Sequence, residues 1–408
     1  MKLLILTQYF PPEVGAPQNR LFELALRLRA LGVDITVLTA MPNYPQMKIY
    51  PGYEGKLYHY EDMQGLKVHR SSIYIPNNKS IISRLRNYFS FVYSSARTGV
   101  KKLEPQYDFL MCESPPLFLG YSAMYLARKK KAKLIFNVSD LWPESAEKLG
   151  VVTNKRLLAM AYRLEEKLYK RSALVSGQTQ GICKNITQRF PQVKTHWLPN
   201  GVDLSLYNPD AVEKSNWREK HSFKAEDFIC LYAGIIGMAQ GLEVILQAAD
   251  KTRNDKQIHY VLLGSGPEKD KLIALKENMQ LIQVHFMEGV SKAEMKYVLK
   301  EVNAALIPLK KLDLFLGAIP SKIFENLAMK LPVILGVDGE ARELFVEQGK
   351  CALYTEPEHA EMLAEKVKTL NNNPALCREL GEAGRTYVQN NFNRDTIAKS
   401  FYEVLKKL

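Results

Sequence analysis

The chain has 408 residues, 46% of them hydrophobic and 24% charged, with a formal net charge of +13. Its length exceeds one ordinary core and suits two domains of roughly 200 residues each. No apolar window reaches the roughly 18 residues of a membrane span, and five widely spaced cysteines without a C-x-x-C pair argue against a disulfide framework or a zinc site and for a reducing cytoplasm.

Met1–Leu6 is apolar but stops at Thr7-Gln8, so it predicts a buried first strand, Lys2–Thr7, rather than a leader. Strand-like and helix-like segments then alternate, as in parallel sheets wrapped by helices. The first half predicts further strands at Asp34–Thr39, Phe109–Cys112, Lys133–Val138 and Ala173–Ser176. Helices are predicted at about Asn19–Leu31, Ser83–Lys102, Pro116–Lys130, Lys155–Arg171 and Gln178–Phe190. Ligands of such sheets gather at the carboxyl ends of the strands, so the loops there carry the candidates. After the first strand, Gly15 and Ala16 precede a helix where backbone can approach a phosphate, and Arg20 adds a positive charge. Asn43 and Tyr44, in Met41–Pro45, and Ser114, in Cys112–Pro116, are candidates for an acceptor pocket. Asp140, in the Phe136–Glu144 stretch with Trp142, is placed to hold or deprotonate a sugar hydroxyl, or else simply to cap a turn.

Charge is concentrated in the run Arg128–Lys133 and in Ser83–Lys102, where Arg84, Arg86, Arg97, Lys101 and Lys102 surround Tyr88, Phe89, Phe91 and Tyr93. A basic aromatic helix fits an anionic membrane surface. Nucleic acid is the other partner that such charge attracts, but no nucleic-acid reading motif accompanies it.

The second half begins at a seam around Leu198–Asp203, whose Asn200-Gly201 is a turn signal, followed by a polar linker to Lys224. Strands are predicted at Phe228–Ala233, His259–Leu263, Val284–Glu288, Ala304–Pro308, Pro332–Leu335 and Cys351–Tyr354. Helices are predicted near Gly241–Thr252, Glu268–Asn278, Lys292–Glu301, Ser321–Met329, Glu340–Gln348, Pro357–Asn371 and Asn373–Asn390. Gly234, Gly237 and Gln240 follow the first of these strands, and Gly264 and Gly266 the second, as candidate cradles for a diphosphate. They lack the spacing of a dinucleotide loop and the lysine of a P-loop. Ser321 predicts a helix N-cap with Lys322 in the first turn beside free N–H groups, a site for phosphate. Glu325 is suited to accept two hydrogen bonds from a ribose diol.

Together Tyr9–Glu13, Pro42–Pro45, Ser139–Glu144, Pro199–Asp203, Gln240-Gly241 and Pro320–Ala328 resemble a retaining glycosyltransferase of family 4 with the GT-B fold, along essentially the whole chain. The likeness is closest to the bacterial branch that builds O-antigen and capsule repeats, including N-acetyl-L-fucosamine transferases. It implies an acceptor-binding Rossmann-like domain at 1–198, completed by a last helix at 394–408, facing across a cleft a nucleotide-sugar domain at 199–393. It further implies metal-independent transfer from a UDP-sugar to a polyprenyl-diphosphate-linked saccharide at the inner face of the cell membrane, with Asp140, Lys322 and Glu325 as catalytic candidates. The chain departs from the family where Gly317 replaces the first of two glutamates, Ile235 and Gln240 replace an arginine and a lysine, and Ser139 replaces a histidine. Diphosphate neutralisation then falls on Lys322. Two rival readings remain: a UDP-N-acetylglucosamine 2-epimerase-like enzyme, and a basic membrane- or nucleic-acid-binding scaffold with a degenerate nucleotide site.

Overall fold

Strand β1 (Lys2–Leu6) lies between two parallel neighbours, and its residues after Lys2 are buried on both faces of the sheet. Leu6 stands beside Leu38 of β2 (Asp34–Ala40) on one side and Cys112 of β5 (Phe109–Ser114) on the other. Leu3 and Ile5 face one hydrophobic cluster and Leu4 and Leu6 the opposite one, the period-two consequence of a sheet covered on both sides. This computed structural model describes all residues except Val14, Pro45, 77–80, Leu149 and Val151; the side chains of Ala16, Ile81 and Ile82 are also outside the description. The chain divides into two units, Met1–Asn200 with Arg394–Leu408, and Gly201–Asn393.

The first unit has an eight-stranded sheet in the order β3-β4-β2-β1-β5-β6-β7-β8. Its remaining strands are β3 (Tyr58–Met63), β4 (Leu66–Ser71), β6 (Lys133–Val138), β7 (Leu174–Gly177) and β8 (Thr195–Trp197). Helix α1 (Ala16–Ala30) covers one face, while α2 (Ile81–Lys102), α3 (Leu119–Lys129) and the helix Lys155–Arg171 cover the other. The last helix, Arg394–Lys406, belongs to this unit: Ala398, Phe401 and Leu405 join the α1 side of its core, and Arg394 pairs with Glu23 at 3.0 Å. Sheet order reverses at β1, with β2 to one side and β5 to the other, which makes the carboxyl end of β1 a topological switch point.

The hairpin of β3 and β4 was not predicted. Its strands carry Glu61, Asp62, Lys67 and Arg70, so apolar alternation is weak at this sheet edge, and its turn is Gln64-Gly65 rather than Asn-Gly.

The second unit is an all-parallel sheet in the order β11-β10-β9-β12-β13-β14. The strands are β9 (Phe228–Ala233), β10 (Ile258–Leu263), β11 (Val284–Met287), β12 (Ala304–Pro308), β13 (Val333–Gly336) and β14 (Ala352–Tyr354). Its switch point lies between β9 and β12. The single helix expected over Glu340–Gln348 is a short helix, Glu340–Arg342, followed by a π-helical segment, Glu343–Gln348. Among the described residues no helix is long and apolar enough to cross a membrane.

Candidate active site

At the carboxyl edge of the second unit, the loops after β9 and β10 are laced together. The Gly234 amide donates to Leu263 O at 2.9 Å and the Ile236 amide to Ser265 O at 2.9 Å, while Ile236 O accepts from the Glu268 amide at 3.1 Å. This packing accounts for Gly264 and Gly266. A Cβ on Gly264 would stand 1.9 Å from Gly234 O, and one on Gly266 would stand 2.3 Å from Ile236 O. Both also have positive φ, 148° and 156°. These two glycines therefore serve loop-to-loop contact, and the amides of Gly234 and Ile236 are spent on it rather than left for a diphosphate. The amides of Ile235 and Gly237 make no hydrogen bond among the described residues. The Gln240 side chain lies over Gly237, where a Cβ would meet its Oε1 at 2.9 Å.

The helix Lys322–Ala328 is anchored by Ile323, Phe324 and Leu327, all fully buried, with Phe324 edge-on to Phe345 and tilted against Phe392. Ser321 is not a cap of the expected kind. It has helical dihedrals, φ −59° and ψ −27°, and its side chain makes no capping hydrogen bond. The core contacts turn half-buried Lys322 back over β9, with its ammonium 3.7 Å from the centre of the Tyr232 ring. A Cβ on Gly234 would stand 2.8 Å from Lys322 Nζ, so this glycine, at φ +143°, is where the lysine meets the loop. Among the described residues the ammonium has no hydrogen bond and no ion pair. Loss of water lowers its pKa to about 7, against the opposing charge of Glu325 one turn along.

In the first unit the carboxyl edge is organised by charge. Arg20, on α1, pairs with Glu113 at the end of β5 at 2.6 Å and donates to Ser139 Oγ at 2.7 Å. Ser139 also donates to Glu113, Asn137 Nδ2 donates to Glu113 Oε2 at 2.5 Å, and Ser176 Oγ donates to Asn137 at 2.6 Å. Arg20, Glu113, Asn137 and Ser176 are all buried, so the arginine expected to offer a charge to phosphate is already neutralised. Ser139 sits between the two charges. A second buried carboxylate, Glu13, accepts from the amides of Asn43 at 2.7 Å, Tyr44 at 2.8 Å and Phe10 at 3.2 Å, tying the β1–α1 loop to the loop after β2. Desolvation raises its pKa even against those three donors.

The remaining candidates divide. Asp140 is exposed and accepts from Ser145 Oγ at 2.5 Å; crowding around its carboxyl raises its pKa, with that hydroxyl opposing. Trp142 is half-buried against the core, edge-on to Phe118, and Ser114 is buried at the end of β5. Tyr44 and Tyr9 are half-buried, with ring centres 5.6 Å apart. Gly15 has φ 177°, an extended conformation open to any residue, but a Cβ there would stand 2.3 Å from Gln18 Oε1. Ala16 begins α1; its side chain and Pro45 lie outside the described residues.

Glu13, Glu113, Gln8 and Gln18 were missed by the sequence reading. Glu113 had left a signal: a carboxylate inside the run Phe109–Ser114, where every residue is buried, requires a partner. Among the described residues, Gln8 Oε1, Gln18 Oε1, Asn43 Oδ1 and Arg20 Nη1 are buried here without a hydrogen-bond partner. Each such group costs about 1–3 kcal/mol of desolvation. Among the described residues no cluster of three or more histidine, cysteine, aspartate or glutamate side chains is placed to hold a metal ion.

Two parallel-sheet α/β domains with loop sites at their carboxyl edges define the GT-B class of fold. Residues 15–201 match the family described as Glycosyl transferase 4-like domain, and residues 213–387 match Glycosyl transferases group 1. The chain is a glycosyltransferase built from these two family domains. It is 24% identical over 416 residues, 98% of each chain, to the putative colanic acid biosynthesis glycosyl transferase WcaI of Escherichia coli. It is also 24% identical over 220 residues, 53% of this chain and 57% of the relative, to a GDP-mannose-dependent alpha-(1-6)-phosphatidylinositol monomannoside mannosyltransferase of Mycobacterium tuberculosis. Among solved structures, sucrose-phosphate synthase from Thermosynechococcus elongatus superposes with a TM-score of 0.75 at 17% identity, covering 100% of this chain and 98% of that one. Anabaena HepE in complex with UDP-glucose superposes with a TM-score of 0.73 at 17% identity, covering 100% of both chains.

Proposed function

We propose that this enzyme transfers a hexosyl or N-acetylhexosaminyl group, with retention, from a UDP-sugar to a lipid-linked saccharide during surface polysaccharide synthesis. The observation that carries the donor half is Lys322. A half-buried ammonium without an anionic hydrogen-bond partner among the described residues, set against a glycine loop and beside a carboxylate, is matched by a diphosphate with a ribose next to it. UDP is favoured as the carrier by HepE, which was solved with UDP-glucose, and polysaccharide synthesis by the colanic acid relative.

In the proposed reaction the bond from the anomeric carbon to the β-phosphate oxygen breaks, and the acceptor oxygen bonds to that carbon from the same face. The acceptor proton passes to the departing diphosphate. Lys322 and the amides of Ile235 and Gly237 stabilise the charge that develops there, Glu325 holds the ribose, and Asp140 orients the acceptor hydroxyl. N-acetyl-L-fucosamine belongs among the candidate donor sugars. Attachment to an anionic membrane is supported by α2 and α3, neither of which contains an acidic residue. Their exposed side chains include Phe89, Tyr93, Arg97, Tyr121, Tyr125 and Arg128.

UDP release from a panel of UDP-sugars, measured with and without a lipid-linked saccharide, tests the reading. Transfer predicts release that requires the acceptor and falls by about 10²- to 10³-fold in Lys322→Ala. Acceptor-independent turnover would support the epimerase-like alternative, and no UDP binding at millimolar concentration would support the scaffold.

A further inference from the structure

The floor of the Lys322 site is a tyrosine. Tyr232, next to the end of β9, belongs with Ile236 and Leu242 to the buried core of the second unit, so its ring is held by packing. The Lys322 ammonium stands 3.7 Å from the centre of that ring, the shortest approach of a cation to an aromatic face among the described residues. The next, Arg342 over Tyr354 at 4.1 Å, belongs to a cation that also pairs with Glu347 at 3.2 Å. Lys322 has no such carboxylate among the described residues, so the ring is what faces its charge where water has been removed. The polar tip of a buried tyrosine needs a partner as well. The Tyr232 hydroxyl donates to Ile235 O at 2.6 Å, in the loop that follows its own strand, and burial raises its pKa, which keeps it a donor. A Cβ on Gly234 would stand 2.8 Å from Lys322 Nζ and 3.7 Å from this hydroxyl, so lysine, phenol and loop meet at one point.

One side chain thus touches both groups assigned to the diphosphate: its ring meets the ammonium, and its hydroxyl holds the loop that carries the Ile235 and Gly237 amides. We infer that Tyr232 is a positioning residue of the donor site, its ring seating the Lys322 ammonium and its hydroxyl setting that loop. The inference rests on the donor reading, which supplies the diphosphate. An ammonium above an aromatic face keeps N–H groups directed away from the ring, free to donate to an anion on the other side. The seat stabilises the charged form of a lysine that burial would otherwise neutralise, and it fixes where that charge stands before any ligand arrives. Little ordering of the lysine then opposes UDP binding. Among the described residues the titratable groups that bear on the ammonium are Tyr232 beneath it and Glu325 one turn along its own helix.

The test is calorimetry of UDP binding to the full chain between about pH 6 and pH 8, with tyrosine, phenylalanine, monofluorophenylalanine and trifluorophenylalanine in turn at position 232. Tyr232→Phe removes the donor to Ile235 O and should weaken UDP binding by about 3- to 10-fold at every pH. From phenylalanine to the trifluoro ring the shape is nearly kept while the negative charge of the face is drained. The unliganded ammonium then gives up its proton at lower pH, so the fall of UDP affinity with rising pH should begin earlier by about 0.5 to 1 pH unit across the series, with little change at pH 6. Thermal melting verifies that each protein is folded, and the monofluoro ring gives the same reading at smaller size should the trifluoro ring fail to fold. A pH midpoint that ignores the series, or an affinity lowered equally at every pH by fluorination, would overturn the inference, because a tyrosine that only fills the core gives one or the other. Wild-type affinity in Tyr232→Phe would overturn the part assigned to the hydroxyl. Absence of UDP binding by the wild type would sink the donor reading and the positioning role with it, whereas UDP binding with a midpoint indifferent to the ring sinks the positioning role alone.

Discussion

The carboxyl edges of the two units solve different electrostatic problems. In the first, two buried carboxylates and a buried arginine are compensated internally, Glu113 by Arg20, Asn137 and Ser139, and Glu13 by three backbone amides. In the second, glycines interlock two loops, and Lys322 keeps an ammonium that, among the described residues, no carboxylate has claimed by hydrogen bond. A charge cancelled within the protein has little left for a ligand, whereas an unclaimed charge in a partly dry site interacts strongly with an anion. Opposite ligand chemistry is therefore expected from the two edges: hydroxyl groups at the first and phosphate at the second.

The comparison breaks most visibly if Glu113 is removed. Glu113→Ala leaves Arg20 buried without its partner and should destabilise the first unit by about 3–5 kcal/mol in denaturant unfolding. Replacing both, as Arg20→Met with Glu113→Met, should recover most of that loss. A loss below about 1 kcal/mol in the single variant would show that the pair is not the cornerstone described. Next in size is Glu13→Gln. One carbonyl and one NH2 replace two carboxylate oxygens facing three N–H donors, so about 2–3 kcal/mol should be lost, with UDP affinity unaltered because the clamp belongs to the other unit.

The strands were legible because β1, β5, β6, β9 and β12 are apolar runs between turn signals, and burial on both faces needs little more. Lys322 stood out because a lysine in the first turn of an amphipathic helix has a physical meaning at once. The roles of Gly264 and Gly266 were not legible, since a glycine that admits a carbonyl from another loop looks the same in sequence as one that admits a phosphate. Arg20 misled for a related reason: its partner lies 93 residues away, on a strand that only the sheet order brings beside it. Gln8 and Gln18 gave no signal, because an unpartnered oxygen is a property of packing.

A smaller effect comes from the amino edge of the second unit, where His259 and His285 share a hydrogen bond at 3.1 Å and pack against Phe223. Burial, then the neighbouring His259, with smaller contributions from Lys276 and His221 and against the opposing Asp227, lowers the pKa of His285 to about 4. The folded value lies below the unfolded one, near 6.5, so the neutral ring stabilises the fold fully above pH 6.5. That contribution is lost as pH falls towards 4. Melting from pH 7 to 4 should show a loss of about 1–3 kcal/mol that His285→Gln removes; the same slope in that variant would place the sensitivity elsewhere.

The smallest expected effect separates the two edges most directly. Lys322 sits near pH 7 because water is excluded, with Glu325 as the charge that opposes the shift. A bound diphosphate favours the ammonium, so its pKa rises in the complex, and UDP affinity should fall as pH climbs from 7 to 8 by about 5-fold, or roughly 1 kcal/mol. Lys322→Met should bind UDP more weakly and lose the slope. Sugar binding at the first unit should be flat over the same interval, because the Arg20 guanidinium there is already matched by Glu113. A slope of equal size for both ligands would mean that the same titrating group serves both, and the division between a phosphate edge and a hydroxyl edge would fail.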